Sequence, residues 1–497
     1  MERDARGWIT GWNPDDPDVW ENGGSRIARK NLALSVFAEH IGFSIWVLWT
    51  VIVVNLGNIG ITLSLSEQFW LTAIPNLIGS TLRIPYTFAI PRFGGRRWTA
   101  ISAGLLLVPA ILAATVVPSG WLQHQAHGTQ FWLLLLCAAT AGVGGGNFSS
   151  SMANISFFYP ETRKGVALGI NAAGGNLGVA AAQLVVPLLL IVGVPSAAAN
   201  LPVHQVHLVY AGLVWLPFIV IAMVAAAWKM DSLADARTDK AAYVRALTNR
   251  QTWVMSLLYI GTFGSFIGFS FVMPLVIKNT FPEFLGQHPF IATYLAGLSF
   301  MGALLGSLSR PVGGWLSDRF GGARITLGCF LGMAAATSLA VVGVDRHSFA
   351  VFFGAYMVVF ILAGMGNGST YRMIPSIFAA LGKERAGERG MSPAETALDY
   401  KRQAAAVIGI AGAVGAFGGF LIQVVLRQSS LHVSALVKAA ETPAAKAAVA
   451  ASHATWSVPA LWSFLAMYVV LAGVTWFCYL RRSVLVERVA SLAYAGV

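Results

Sequence analysis

Long apolar segments separated by short polar loops recur along the whole chain of 497 residues. A helix needs about 20 mainly apolar residues to cross the hydrocarbon core of a bilayer, and these segments have that length. The pattern therefore predicts an all-α membrane protein with twelve transmembrane helices. Their predicted ranges are 32–57, 66–90, 98–117, 131–159, 165–193, 208–228, 253–277, 291–316, 325–344, 350–378, 402–426 and 459–480.

The two halves of this pattern repeat each other. Arg83 and Arg310 lie in matching apolar contexts, and each is followed nine residues later by Arg-Phe-Gly-Gly. The glycine-rich fourth helix also recurs as the tenth, and the fifth as the eleventh. In the fourth and tenth helices, Gly144, Gly146 and Asn147 match Gly364, Gly366 and Asn367. Two parallel six-helix repeats are the architecture of major facilitator transporters, so we expect that fold.

This fold divides the chain into two pseudo-symmetric six-helix bundles joined by a polar linker. The predicted parts are a cytoplasmic N-terminal segment, the first bundle, a cytoplasmic linker, the second bundle and a cytoplasmic tail, at 1–31, 32–228, 229–252, 253–480 and 481–497. Lysines and arginines concentrate in alternate short loops, as the positive-inside rule expects for cytoplasmic termini. We expect a multi-pass protein of the cytoplasmic (inner) membrane with both termini inside.

Composition narrows the function classes further. The net charge of +12 indicates membrane topology here rather than nucleic-acid binding, because the basic residues follow the loops. Cys137, Cys329 and Cys478 all lie in apolar runs without paired spacing, so we expect no disulfide, metal or cofactor. No nucleophile with a base is apparent among the spans, which argues against an enzyme.

Arg83 and Arg310 are the first candidate site residues. An arginine inside a membrane span costs about 2.5 to 3.5 kcal/mol on insertion scales, so its presence indicates function. Pairing with a buried carboxylate would be the structural alternative, but Glu39 is the only deep acidic candidate in the first half. The guanidinium group is planar and donates parallel hydrogen bonds, which suits a small planar oxyanion. Two such groups at equivalent points predict a central anion site.

The fifth and eleventh helices are rich in glycine at helical spacing, which allows close helix packing. Asn171 and Asn176 interrupt the fifth of these helices with amide groups that need hydrogen-bond partners in hydrocarbon. We predict that one of them lies beside the substrate.

The most distinctive stretch runs from Gly144 to Pro160, with the sequence GGGNFSSSMANISFFYP. With the WNPDDP opening at Trp12 and the segment SLLYIGTFGSFIGF, it resembles the nitrate/nitrite porter family over nearly the whole chain. The resemblance implies that Arg83 and Arg310 bind the substrate anion. It also implies an aromatic enclosure of the planar ion by Phe43, Phe148, Tyr259 and Phe263. Tyr259 and Phe263 are four residues apart and so share a helix face.

Glu39 and His40 bear on the coupling mechanism. A glutamate beside a histidine in the first helix can carry protons, whereas an exchanger of nitrate for nitrite needs no ionisable residue there. The alternative is that Glu39 and His40, about two turns from the cytoplasmic end, lie at a wet interface or pair with a neighbouring residue. We favour proton symport of nitrate, with nitrate/nitrite antiport as the second reading. Nitrate, nitrite, protons and the lipid bilayer are thus the expected partners.

A loop motif common among major facilitator transporters is partly present. Asp318 and Arg319 supply it in the second half, but Pro91 stands where the first half would have its aspartate. We expect a cytoplasmic gating contact from Asp318, and we expect Arg372 to extend to the membrane interface. A membrane sensor that binds nitrate without transport is the alternative of another class.

Overall fold

The computed structural model describes residues 2–198, 206–234, 236, 240–384, 392–439 and 455–481. Nearly all regular structure in these ranges is helical, and the only β-bridges are isolated ones at Ile9. The expected tail was 481–497, and all of it after Arg481 lies outside the described residues.

The first half contains six long helices. They are Ser25–Val47 continued by Trp49–Asn55 (α1), Leu65–Thr87 (α2), Gly95–Thr115 (α3), His127–Phe158 (α4), Glu161–Leu190 (α5) and Val209–Lys229 (α6). The second half contains six more. They are Arg250–Thr280 (α7), Phe300–Phe320 (α8), Gly322–Asp345 (α9), Phe349–Glu384 (α10), Pro393–Ala439 (α11) and Val458–Leu480 (α12).

Short helices and turns connect them. They are Pro17–Val19, Trp20–Gly24, Leu56–Ile59, Ala89–Phe93, Gly120–Gln123, Pro195–Ala198, Lys240–Thr248, Pro282–Gln287, Pro289–Tyr294 and Ala296–Leu298. Within the described ranges, ten helices are long and apolar enough to cross a membrane. The other two, α2 and α8, have the necessary length and contain Arg83 and Arg310. The prediction of twelve membrane-spanning helices is confirmed.

The start of α8 differs from the prediction. The eighth span was expected at 291–316, but the helix begins at Phe300 and ends at Phe320. Ala296, Gly297 and Leu298 have positive φ angles of 48°, 62° and 66°. Consecutive left-handed residues cannot continue a right-handed helix, so the chain turns there before α8 begins. Apolar composition alone does not reveal this turn.

The helix pairing within one half repeats in the other. Helix α2 packs against α4, α1 against α5 and α3 against α6, and the same pairs form between α8 and α10, α7 and α11, and α9 and α12. The bundles meet along α2 with α11 and along α5 with α8, a symmetric arrangement. Arg83 and Arg310 lie on α2 and α8, so each arginine is on a helix that faces the other bundle.

The N-terminal segment crosses one end of the first bundle. Ile9 forms backbone hydrogen bonds with Ser232 and Ala234, just after α6, and Trp12 donates from Nε1 to the carbonyl oxygen of Phe157. Buried Asp231 accepts from Arg3 at 2.7 Å. Its carboxylate is also held by Lys30 at 2.7 Å and by the Asn31 amide at 3.0 Å. We call the opposite end of the bundles the far end.

Candidate functional site

Arg83 is completely buried at the interface between the bundles. Its Nε donates to the carbonyl oxygen of Gly145 on α4 at 3.1 Å, and its Nη1 donates to that of Gly412 on α11 at 2.7 Å. These two backbone carbonyls accept hydrogen bonds from the guanidinium group but do not neutralise its charge. Its Nη2 has no hydrogen-bond partner in the described part of the chain. Arg83 thus presents a buried cation with a free donor.

Glycine at position 145 allows a tryptophan to form one wall beside Arg83. A Cβ atom added there would collide with the indole ring of Trp46, so only glycine allows this approach. The Trp46 ring centroid lies 5.4 Å from the Arg83 Cζ atom, and its Nε1 donates to the carbonyl oxygen of Pro75 at 2.8 Å. Its polar atom is therefore satisfied by α2 while its ring faces the cation.

Arg310 occupies the equivalent place in the second bundle and is 5% exposed. Its Nη2 lies 3.4 Å from the hydroxyl oxygen of Tyr259, and its Nη1 has no hydrogen-bond partner. The Cζ atom lies 5.3 Å from the ring centroid of Tyr371. Across the described residues, neither Arg310 nor Arg83 has a carboxylate within ion-pair distance.

The four aromatic residues implied by the family resemblance form one continuous group. Ring centroids are separated by 5.9 Å between Phe43 and Phe148, by 6.2 Å between Phe148 and Phe263, and by 5.3 Å between Phe263 and Tyr259. Arg83 contacts this group, with its Cζ atom 4.7 Å from the Phe148 centroid and 5.1 Å from that of Phe263. The group therefore extends from one arginine to the other.

A π-helical turn at Ile260–Gly264 separates α7 into two regular parts at this site. Such turns are frequent at functional sites because they shift the helix face by part of a turn. Phe263 lies within this turn and Tyr259 immediately precedes it, and their rings stack with an interplanar angle of 19°.

The two amides predicted on α5 are both fully buried but differ in their contacts. Asn171 donates from Nδ2 to the hydroxyl of Ser151 at 2.7 Å, and its Oδ1 has no partner. Neither amide atom of Asn176 has a hydrogen-bond partner among the described residues. Contact with substrate stays a prediction for both residues.

A buried pair of arginines with free N–H groups and aromatic walls can bind a small planar anion. Comparison with known proteins agrees with this chemistry. The Major Facilitator Superfamily model matches residues 32–392. The Escherichia coli "Nitrate/nitrite transporter NarU" is 36% identical over 97% of this chain and 98% of its own length. The chain belongs to the nitrate/nitrite transporters of this superfamily.

Two further comparisons fit this assignment. The "Probable nitrate/nitrite antiporter NarK2" of Thermus thermophilus is 36% identical over 85% of this chain and 90% of its own length. A crystal structure of a D-xylose–proton symporter aligns with a TM-score of 0.64 at 15% identity, covering 90% of this chain and 97% of that one. At that identity the likeness concerns the fold alone. The expected fold and family are confirmed, and these relatives are transporters.

In this transporter Glu39 lies on α1 close to the aromatic group and is 1% exposed. Its Oε1 accepts from the Nδ2 of Asn147 at 2.7 Å, whereas Oε2 has no hydrogen-bond partner. His40 is half-buried and its Nδ1 lies 3.1 Å from the carbonyl oxygen of Gly174 on α5. Glu39 is thus buried inside the protein, while His40 contacts the fifth helix.

Asp318 and Arg319 lie far from the arginine site, in the last turn of α8. Asp318 forms an ion pair with Arg372 of α10, and both side chains are about half exposed. Arg319 lies over the ring of Trp315, with its Cζ atom 5.5 Å from the centroid. The expectation that Arg372 simply extends to the interface is incomplete, because its guanidinium also joins α10 to α8 through Asp318.

Toward the far end, contacts between the bundles lie between the arginines and a cavity. Gln183 on α5 donates from Nε2 to the carbonyl oxygen of Ser270 on α7 at 2.6 Å. Beside it, Trp46 contacts Phe271 with ring centroids 5.2 Å apart. A cavity of about 440 Å³ lined by Gln183 and Lys278 lies beyond this layer. These two contacts therefore lie between Arg83 and the far end.

Sequence reasoning missed three residues that the structure brings to the site, namely Trp46, Asn147 and Tyr371. Asn147 had a signal, because it belongs to the repeated Gly-x-Gly-Asn motif. Tyr371 had a weaker one, since it lies four residues after Asn367 and therefore on the same helix face. For Trp46, nothing in the sequence separates it from the other tryptophans of the spans.

Proposed function

We propose that the protein is a secondary active transporter of nitrate and nitrite that works by alternating access. One observation carries this proposal: Arg83 and Arg310 are buried with no carboxylate of the described residues within ion-pair distance, and each keeps a free N–H group. Arg83 lies beside Phe148 and Phe263, and Arg310 lies beside Tyr259, at the other end of the same group of rings. A buried cation without an ion-pair partner is rare inside a membrane protein and indicates a binding site for an anion.

The geometry favours a small, planar and weakly hydrated oxyanion. Guanidinium groups donate in their own plane, which matches the in-plane oxygens of nitrate and nitrite. Edges of aromatic rings carry partial positive charge, so rings around Arg83 can direct their edges toward an anion without repelling it. Large or strongly hydrated anions such as sulfate would lose more hydration than two arginines replace, because the walls are apolar.

Alternating access fits the way in which the bundles meet. The site lies where α2 contacts α11 and α5 contacts α8, near the middle of the fold. Transporters of this superfamily move their two bundles about such a central site. Arg83 belongs to the first bundle and bonds Gly412 of the second, so movement of the bundles changes its hydrogen bonds.

We further propose proton symport, with Glu39 as the proton carrier. Moving an anion into an inside-negative cell costs about 2.3 kcal/mol per charge per 100 mV, so uptake needs protons or an exchanged anion. Glu39 is buried and its second carboxylate oxygen accepts no hydrogen bond from the described residues, which leaves it able to accept a proton. Nitrate/nitrite antiport is the second candidate, favoured by the name of the Thermus relative.

The location of the protein in the cell follows from the charge of its loops. We propose that the protein lies in the cytoplasmic (inner) membrane with both termini inside, because lysines and arginines concentrate in the loops on that side. The N-terminal segment then covers the cytoplasmic end of the first bundle, and the far end faces outward.

The decisive experiment is uptake of isotope-labelled nitrate into vesicles containing the purified protein. With an inward proton gradient and no internal nitrite, symport predicts accumulation. Antiport predicts uptake only when nitrite or unlabelled nitrate is inside. A sensor predicts binding without uptake in either condition, and that result would overturn the transport proposal.

A further inference from the structure

Tyr371 on α10 lies beside the second arginine of the site. Its ring centroid is 5.3 Å from the Arg310 Cζ atom and 5.9 Å from the ring centroid of Tyr259. Tyr259 in turn stacks on Phe263, which contacts Arg83. Tyr371 therefore belongs to the same enclosure, although it comes from a helix that contributes no other aromatic contact to the arginines.

Close packing of α10 on α8 brings Tyr371 to this place. A Cβ atom at Gly368 would collide with the carbonyl oxygen of Arg310, and one at Gly364 would collide with that of Gly306. Both contacts are possible only because the residues are glycines. Tyr371 follows Gly368 by about one helical turn, so the backbone contact at Arg310 places its ring next to the guanidinium of the same arginine.

The hydroxyl group of Tyr371 is buried and has no hydrogen-bond partner among the residues that the structure describes. Buried polar groups are nearly always hydrogen-bonded, so a free hydroxyl beside a binding site indicates a ligand partner. Arg83 Nη2 and Arg310 Nη1 are free in the same way, and so is the amide of Asn367, one turn before Tyr371. Helices α2, α8 and α10 thus each bring a free donor to one enclosure.

We propose that the Tyr371 hydroxyl donates to the third oxygen of nitrate and thereby sets the preference for nitrate over nitrite. This inference rests on the proposed function. Nitrate has three equivalent oxygens in one plane, whereas nitrite is bent and has only two. Two guanidinium groups can serve both oxygens of nitrite, but nitrate then retains one oxygen that needs a donor in an apolar site. The tyrosine hydroxyl supplies that donor without adding charge.

The test is Tyr371→Phe, which keeps the ring and removes the hydroxyl. Binding of nitrate and of nitrite to the purified protein is measured by titration calorimetry, and uptake of each into vesicles is compared. We expect nitrate affinity to fall about tenfold or more, as for loss of a hydrogen bond to a charged group. Nitrite affinity should change by less than about twofold, because its two oxygens keep their guanidinium donors.

Tyr356→Phe is the matched control, because Tyr356 is a buried tyrosine of the same helix that packs on Phe269 and Phe352. It should leave both affinities unchanged. An unchanged nitrate-to-nitrite affinity ratio in Tyr371→Phe, including an equal fall for both anions, would overturn the assignment. That outcome differs from failure of the proposed function, in which the wild-type protein itself would transport neither anion.

Discussion

Arg83 of the first bundle donates a hydrogen bond of 2.7 Å to the carbonyl oxygen of Gly412 in the second bundle. The same guanidinium group donates from Nε to the carbonyl oxygen of Gly145 in its own bundle, and its Nη2 has no hydrogen-bond partner among the described residues. One side chain therefore takes part in both the contact between bundles and the candidate anion site. Binding of an anion and movement of the bundles are linked through this group.

The first prediction concerns Arg83→Lys. The arginine guanidinium group is planar and can donate to Gly145, to Gly412 and to an anion at the same time. The single ammonium group of lysine lacks this geometry. We expect nitrate uptake to fall at least about tenfold, in line with loss of hydrogen bonds to a charged group. Initial rates of labelled nitrate uptake into vesicles measure this change. Arg346→Lys, in an exposed loop, is the control, and near-normal uptake by Arg83→Lys would contradict the anion-site assignment.

The second prediction concerns Glu39→Gln. Glutamine retains an oxygen that can accept from Asn147 but cannot exchange a proton at that position. We expect nitrate binding to persist while accumulation driven by a proton gradient is lost. Exchange of internal nitrite for external nitrate should continue. Uptake with and without internal nitrite, together with the pH change outside weakly buffered vesicles, separates these effects.

Exposed Glu283→Gln serves as the control for the loss of one carboxylate. If Glu39→Gln still accumulates nitrate from a proton gradient, Glu39 is not the proton carrier. If the wild-type protein shows no proton-driven accumulation but exchanges nitrate for nitrite, antiport replaces symport.

The third prediction compares two glycines at the packing of α8 on α10. Gly368→Ala places a methyl group against the carbonyl oxygen of Arg310, whereas Gly314→Ala meets no atom within 4 Å. Overpacking costs about 1 to 3 kcal/mol, so Gly368→Ala should unfold at lower temperature and transport more slowly. Gly314→Ala should match the wild type in both measurements. Equal behaviour of the two variants would show that this helix contact does not position Arg310.

The fourth prediction concerns Asp231, which holds the N-terminal segment. Burial raises the pKa of this carboxyl group, but hydrogen bonds from Lys30, Arg3 and Asn31 outweigh burial and the pKa lies below its ordinary value. Because the folded-state pKa is lowered, the stabilisation is present at neutral pH. It is lost as the pH falls below about 3.9, the ordinary value for aspartate, toward the lower folded-state pKa.

Asp231→Asn should therefore loosen the N-terminal segment at neutral pH, where the wild-type segment is held. Faster amide hydrogen exchange at Ile9 and in the neighbouring backbone would report this change, since Ile9 bonds Ser232 next to Asp231. Asp345→Asn, at the end of α9, is the control. Unchanged exchange in Asp231→Asn would show that the backbone pairing at Ile9 holds the segment without the carboxylate.

The sequence by itself determined the membrane class, the twelve spans, the repeat and the two arginines. These properties follow from hydrocarbon, which requires apolar helices of a minimum length and makes any charge within them conspicuous. The family motifs also identified the aromatic residues, although only the structure placed their rings in one group between Arg83 and Arg310.

Tertiary structure alone decided the contacts between residues far apart in the chain. Tyr371 beside Arg310, Arg83 bonded to Gly412 and Asp318 paired with Arg372 all depend on how closely glycine-containing helices approach. Hydrophobic periodicity records which face of a helix is buried but not which helix it meets. The late start of α8 was hidden for another reason, because the left-handed turn before it consists of residues as apolar as a helix.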